Sequence, residues 1–375
     1  MVAKRLLVFP GDPIHRYATK GEIKTRYWNP GCVFDQVDIC TFADEEVDPG
    51  VVQELVGDAE LTIHPLGNYM KAMATFPVHL ARTLRLARAL DPSVIRSHGA
   101  HIQSFYACFI GRRLNRPVIV SLHGDYEEVR SYRDVMPFWS YVKVAGASRL
   151  FERYALSRAS SVICVTAFLE RYARKFGAQR VDVIYNRVYT GNFRVRSTPR
   201  EPGPLRILCV GRVNKQKNQE CLLEAVRGLD VQLRLVGSDS TEYRDHLERL
   251  ARQYGISQRV EFKYGVPHNV IHEEYLWADI FAIATKFEGF CIPILEAMAC
   301  GLPVVASDIP PIAEILGDTG FLLEITPERF TETFQRLVDD TLRKKVGTRA
   351  RARAEMLDGG RMEAKEKALY EEFMA

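Results

Sequence analysis

The sequence predicts an α/β protein built as two Rossmann-like domains facing each other across a cleft, and three observations predict it. The chain has 375 residues, enough for two domains that each bury a full core. Strand and helix signals alternate along it in two series, the pattern of parallel sheets covered by helices on both faces. Between the series lies RVRSTPREPGPL (194–205), rich in Pro, Arg and Gly, which reads as a polar linker.

Taken in order, short apolar runs place strands near 5–9, 60–64, 93–97, 117–122, 161–165 and 181–185. Helical patterns at 78–90, 101–114 and 166–176 lie between them. After the linker the strands resume near 206–210, 232–236, 259–262, 280–284 and 303–306. From about Pro327 to Ala375 the chain is helical and charged.

The most informative stretch is EGFCIPILEAMACGLPVVAS (288–307). FAIAT (281–285) runs into it as a strand, a helix starts near Pro293 and stops near Gly301, and LPVVAS (302–307) is the next strand. Proline suits the first turn of a helix and glycine the position just past its end. The helix N-terminus therefore points at the end of the preceding strand, where backbone N–H groups and the helix dipole hold an anion. Glu288 and Glu296 flank that place, and sugar hydroxyls are the natural partners of carboxylates there. Alone, LEAMACG also fits an ordinary amphipathic helix packed on a sheet.

Upstream, RILCVGRVNKQKNQECLLEAV (206–226) is a buried strand, Gly211, then Arg212 and Lys217 in a loop before a helical pattern. A guanidinium fork and a compact ammonium both suit phosphate oxygens. In a parallel sheet such a loop lies at the carboxyl edge, where ligands bind. Two solvated loop charges would look the same in isolation.

Together these motifs resemble the retaining nucleotide-sugar glycosyltransferases of family four, which have the GT-B fold. The resemblance rests on GR-x4-KN after a strand and E-x7-E within EGF-x-x-P-x-LEAMACG-x-PVVAS, over roughly 204–325. It extends more weakly to SLHGDY (121–126), like the family's HG or HD loop, and to VIYNRV (183–188). The resemblance implies that Arg212 and Lys217 bind the donor diphosphate and stabilise its departure. It implies N–H donors from Gly289, Phe290, Cys291 and Ile292, a donor edge that includes Gly211, Gly237 and Val266, and sugar contacts from Glu288. Glu296 would accept from both ribose hydroxyls, and His123 would sit across the cleft near the reacting bond. The implied catalytic set is His123, Glu288, Arg212 and Lys217. Gly11, Lys20, Asp125 and Asn186 fall on the implied acceptor side. The resemblance implies no cofactor and no metal. The two series and their linker give domains at 1–195 and 204–358, and the resemblance implies that the last helix (359–375), which carries GGRMEAKEKALYEEFM, crosses back to the first domain.

The chain departs from the family pattern at several positions. Cys291 stands where the family commonly has Gly, Pro310 and Pro311 where it has a Gly pair, and Arg187 where it has Gly. After the first strand, PGDPIHRYATKGEIKTRYWNPG (10–31) replaces a glycine-rich loop. This polar, aromatic and basic segment reads either as a specialised acceptor loop or as a surface loop with a buried Trp28.

Composition sets the remaining bounds. Hydrophobic residues at 47% and charged residues at 26% are those of an ordinary soluble protein. No apolar run reaches the ~18 residues of a spanning helix, and the N-terminal run is too short for a signal peptide. The eight cysteines show no CxxC spacing and read as reduced core residues, so a cytoplasmic location is expected. Residues 1–190 carry 25 Lys and Arg against 19 Asp and Glu; the rest carry 26 against 28. In FPVHLARTLRLARALDP (76–92), Arg82, Arg85 and Arg88 lie opposite Leu80, Leu84 and Ala87. That pattern fits either a solvated helix face or peripheral docking on an anionic inner membrane face. The expected partners are a nucleotide-sugar donor and a small-molecule, glycan or lipid-linked acceptor. Nucleic acid is not expected, because the basic residues form no dense cluster. His268 and His272 lack a third ligand for zinc. Two rivals share the fold: a sugar-nucleotide epimerase and a non-catalytic nucleotide-sugar-binding protein.

Overall fold

A computed structural model describes residues 3–19, 23–44, 46–131, 148–197, 202–238 and 241–375. They form two compact units: the chain up to Tyr185 with Arg361–Ala375, and Asn186–Gly360.

The first unit holds a seven-stranded parallel sheet in the order β3-β2-β1-β4-β5-β6-β7. Its strands are β1 (Arg5–Phe9), β2 (Gln36–Thr41), β3 (Glu60–Pro65), β4 (Val94–His98), β5 (Val118–Leu122), β6 (Ser161–Cys164) and β7 (Val181–Val183). β4 and β5 are buried at every residue, as central strands covered on both faces must be. Helices Phe76–Leu90 and Ile102–Leu114 end on Asp91 and Asn115, both left-handed, at φ 48° and 53°. The core gathers Leu6, Val8, Trp28, Phe34, Ile39 and Leu55 around Tyr370 of the last helix. The Phe34 and Tyr370 rings meet edge to face at 5.0 Å. Arg96 of β4, itself buried, reaches Glu366 of the same helix at 3.0 Å. These contacts seat Arg361–Ala375 in the first unit.

The second unit holds a six-stranded parallel sheet in the order β10-β9-β8-β11-β12-β13. Its strands are β8 (Leu205–Val210), β9 (Val231–Gly237), β10 (Val260–Tyr264), β11 (Ile280–Ile283), β12 (Val304–Ser307) and β13 (Phe321–Leu323). In both sheets the chain starts in the middle, winds to one edge, and returns to wind to the other. Each sheet thus has a switch point where loops diverge: between β1 and β4, and between β8 and β11.

All eleven expected strands are present; β2 and β13 are additional. β2 reads QVDICT, and Asp38 breaks its apolar run. That carboxylate is buried because His64 meets it at 2.7 Å and Arg5 at 3.5 Å. β13 spans only FLL, too short to stand out. Residues 186–195 lie with the second unit, although the sequence placed the first domain's limit at 195. Seven of the cysteines are buried, Cys32 is exposed, and all eight are free. No helix among the described residues is long and apolar enough to cross a membrane.

Candidate active site

Gly211 leaves β8 at the second unit's switch point, and its N–H donates to Val236 O at 2.9 Å. Only glycine fits at Gly237 at the end of β9, since a Cβ there would lie 1.8 Å from Gly211 O. The two strand ends are thereby pressed together, and the 211–218 loop lifts over them. Arg212 is exposed and its guanidinium donates to Gln216 Oε1 at 3.3 Å. Lys217 is buried at 7% exposure and its Nζ is ion-paired with Glu288 Oε1. Burial alone would lower the Lys217 pKa; the adjacent Glu288 charge and hydrogen bond outweigh this and raise it. The ammonium therefore stays charged in a nearly dry setting.

The β11 loop is fastened to the β8 loop through Gln216. Gln216 O accepts from Lys286 N at 2.9 Å, and its Nε2 donates to Phe287 O at 2.8 Å. The Thr285 hydroxyl lies 2.9 Å from Glu288 Oε1. Asn214 Oδ1 accepts from Lys217 N at 3.1 Å, and Gln219 Nε2 donates to Arg212 O at 2.9 Å. These amides fix the loops that carry Arg212, Lys217 and Glu288. Asn214, Gln216, Gln219 and Thr285 were not singled out in the sequence, although NKQKNQ advertises a run of amides.

The helix Ile292–Ala299 follows, with Pro293 in its first turn and Cys291 as its N-cap residue. Cys291 is left-handed at φ 67°, a conformation glycine adopts freely and a side chain adopts at a cost of roughly 1–2 kcal/mol. The departure from the family's glycine therefore leaves the backbone path intact. Burial, and then the Glu288 charge, raise the Cys291 thiol pKa, so it stays protonated. Gly289 and Ile292 are partly buried and Phe290 fully so. Arg351 holds the other end of this helix through Ala299 O, and also donates to Phe193 O at 2.9 Å.

Glu296 projects from this helix at 3% exposure. The Tyr275 hydroxyl donates to Oε2 at 2.7 Å, and His268 Nε2 lies 2.9 Å from Oε1. Both oxygens of this carboxylate are thus engaged within the second unit. Val266 is partly buried in the segment between β10 and His268. His272 sits on the helix His272–Trp277, and among the described residues no three His, Cys, Asp or Glu side chains converge as a metal site.

At the first unit's switch point Gly11 follows β1, and a Cβ on it would lie 3.2 Å from His98 O at the end of β4. His123, after β5, has its Nε2 3.3 Å from His98 Nδ1, and Trp28 Nε1 donates to His98 Nε2 at 3.0 Å. Burial, then the Arg96 and Lys24 charges, push the His123 pKa down to about 4, so the ring is neutral at pH 7. Asp125 Oδ1 accepts from Glu127 N at 2.9 Å and Glu128 N at 3.2 Å, which makes it the cap of the helix Tyr126–Ser131. Of the other acceptor-side residues, Asn186 lies in the second unit and Lys20 falls outside the described residues.

Two family models match adjoining stretches: Glycosyltransferase Family 4 over residues 35–191 and Glycosyl transferases group 1 over residues 193–353. The chain belongs to the family-four glycosyltransferases, enzymes of the sugar-transfer class, and its fold is GT-B. It is 32% identical over 157 residues to a Campylobacter jejuni enzyme named N-acetylgalactosamine-N,N'-diacetylbacillosaminyl-diphospho-undecaprenol 4-alpha-N-acetylgalactosaminyltransferase. That match spans 40% of this chain and 42% of the relative. It is 25% identical over 290 residues to the alpha-D-kanosaminyltransferase of Streptomyces kanamyceticus, spanning 71% and 73% of the two chains. Its fold superposes on the Anabaena protein Alr3699/HepE, solved in complex with UDP and glucose, with a TM-score of 0.74 at 18% identity over 98% and 99% of the two chains.

Proposed function

We propose that this protein is a retaining glycosyltransferase that moves a sugar from a nucleoside-diphosphate sugar to an acceptor hydroxyl. The observation that carries the reading is the buried Lys217 ammonium, paired with Glu288 at the β8–β11 switch point. A buried cation on a ligand-binding edge suits an anion of more than one charge. An ammonium has three donors, so Lys217 can keep Glu288 while it takes a phosphate oxygen.

In this account the acceptor hydroxyl attacks the anomeric carbon on the face the diphosphate leaves. The anomeric carbon–phosphate oxygen bond breaks, the glycosidic bond forms, and the departing phosphate takes the acceptor proton. Arg212, Lys217 and the N–H groups from Gly289 to Ile292 stabilise the charge that grows on the leaving group, fixed in place before the reaction. Glu288 and His123 serve the sugar, and Glu296 the ribose. The UDP bound in the Anabaena neighbour makes UDP the first nucleotide to try. A thermal-shift panel of UDP, GDP, ADP and TDP with their sugars identifies the donor, because a ligand of the native state raises its melting temperature. A protein that no nucleoside diphosphate stabilises is not this enzyme. Turnover of the donor to another sugar nucleotide without acceptor would point to an epimerase instead.

The first unit supports an acceptor held at an anionic lipid surface. The helices Phe76–Leu90, Ile102–Leu114 and Ser148–Arg158 pack side by side, with Phe105 5.5 Å from Phe76 and 5.2 Å from Phe151. Among the described residues, every exposed ionic side chain on these helices is an arginine, from Arg82 to Arg158. Their one acid, Glu152, is fully buried and bound by Arg130 at 2.8 Å. Val78 and Leu150 protrude among them at 55% and 79% exposure. Basic charge around protruding apolar groups suits the headgroup region of an acidic bilayer.

A further inference from the structure

We propose that Trp28 and His98 are positioning residues that hold His123 in its Nδ1–H tautomer, so that a neutral imidazole presents one fixed donor. The proposal rests on the reading of His123 as a sugar-contacting residue.

An indole N–H can only donate. Trp28 Nε1 lies 3.0 Å from His98 Nε2, so that nitrogen must be unprotonated. A neutral His98 then carries its proton on Nδ1, which lies 3.3 Å from His123 Nε2. His123 Nε2 must in turn accept, which leaves its own proton on Nδ1. The reverse direction would need a His98 with no proton on either nitrogen. A doubly protonated His98 would set an N–H against the indole N–H. One obligate donor therefore fixes the state of two rings.

The donor is itself held firmly. Trp28 is fully buried, and its backbone N–H donates to Leu55 O at 2.9 Å. The next residue, Asn29, donates to Phe34 O at 3.0 Å and Val56 O at 3.1 Å. The Tyr17 and Tyr27 rings flank the indole at 5.3 and 5.8 Å. Outer partners that choose a histidine tautomer are a general means of orienting a first contact. Burial and the positive charges of Arg96 and Lys24 keep His123 neutral, so the tautomer chosen is the form present at pH 7.

The test is 15N NMR of the histidine rings in the intact protein, with the His123 signals identified by their loss in His123→Gln. The expected wild-type spectrum shows a protonated Nδ1 and an unprotonated Nε2. In Trp28→Phe, which keeps an aromatic ring but removes the N–H together with part of the bicycle, the spectrum is expected to shift toward mixed tautomers. Turnover is expected to fall roughly threefold to tenfold, with nucleotide affinity unchanged. A wild-type Nε2–H tautomer, or one that does not respond to Trp28→Phe, overturns the relay; the wild-type spectrum decides this even if the variant fails to fold. A tautomer that shifts as expected while neither Trp28→Phe nor His123→Gln alters turnover overturns the functional role of His123 instead.

Discussion

The switch points of the two sheets share a topology and differ in chemistry. At β8–β11 the side chains are ionic: Lys217 against Glu288, with Arg212 exposed beside them. At β1–β4 the hydrogen-bonded groups are neutral, an indole and two imidazoles beside the backbone of Gly11, while the Arg96 and Lys24 charges reach His123 only through their field. An ionic site suits a ligand with a permanent charge, which it both binds and stabilises on departure. A neutral hydrogen-bonding site suits hydroxyl groups, for which direction counts more than field. In the proposed enzyme the first would serve a diphosphate and the second a sugar contact.

The sharpest way to break the ionic side is Gly237→Ala. A Cβ 1.8 Å from Gly211 O forces β8 and β9 apart, with an expected cost of about 3 kcal/mol. The second unit should melt roughly 10 °C lower, and nucleotide stabilisation should disappear with it. A variant that melts and binds as the wild type would show that the tight approach is not needed. Lys217→Ala should preserve the fold and lower turnover by about tenfold or more, on the order of 1.4–3 kcal/mol for one charge-assisted contact.

The neutral side responds to acid. His101 and His123 both have pKa values lowered to about 4 from 6.5, chiefly by burial. The unfolded chain takes up protons near 6.5 that the folded one refuses, so their stabilisation is full above 6.5 and is lost as pH falls toward 4. The first unit should melt about 5 °C lower across that window, and His123→Gln should flatten part of the slope. The smallest effect belongs to the arginine face. Arg82→Gln should weaken sedimentation with phosphatidylglycerol vesicles about fivefold, at roughly 1 kcal/mol for the one charge removed, and leave nucleotide binding unchanged. Equal sedimentation of variant and wild type would remove the lipid surface from the account.

The ionic site was legible because it lies in two short segments. Residue types at fixed spacing announced Arg212, Lys217, Glu288 and Glu296, and alternating strand and helix signals placed them at a sheet edge. The fastening by Gln216 was not legible, since an amide gives no sign of which carbonyl it will reach. Nor was the occupation of Glu296 by Tyr275 and His268, which arrive from a separate segment. The relay was hidden for the same reason. Trp28 and His98 are 70 positions apart, and only the pairing of β1 with β4 brings their loops together. Asp125, which the resemblance puts on the acceptor side, stands at the start of a helix, where exposed N–H groups claim one of its carboxylate oxygens.

Calorimetric titration of the stabilising nucleoside diphosphate into wild type, Arg212→Ala, Lys217→Ala and Trp28→Phe measures the central claim most directly. The account predicts that affinity falls about tenfold or more in each cation variant and holds in Trp28→Phe. Wild-type affinity in both Arg212→Ala and Lys217→Ala would place the diphosphate elsewhere and contradict it.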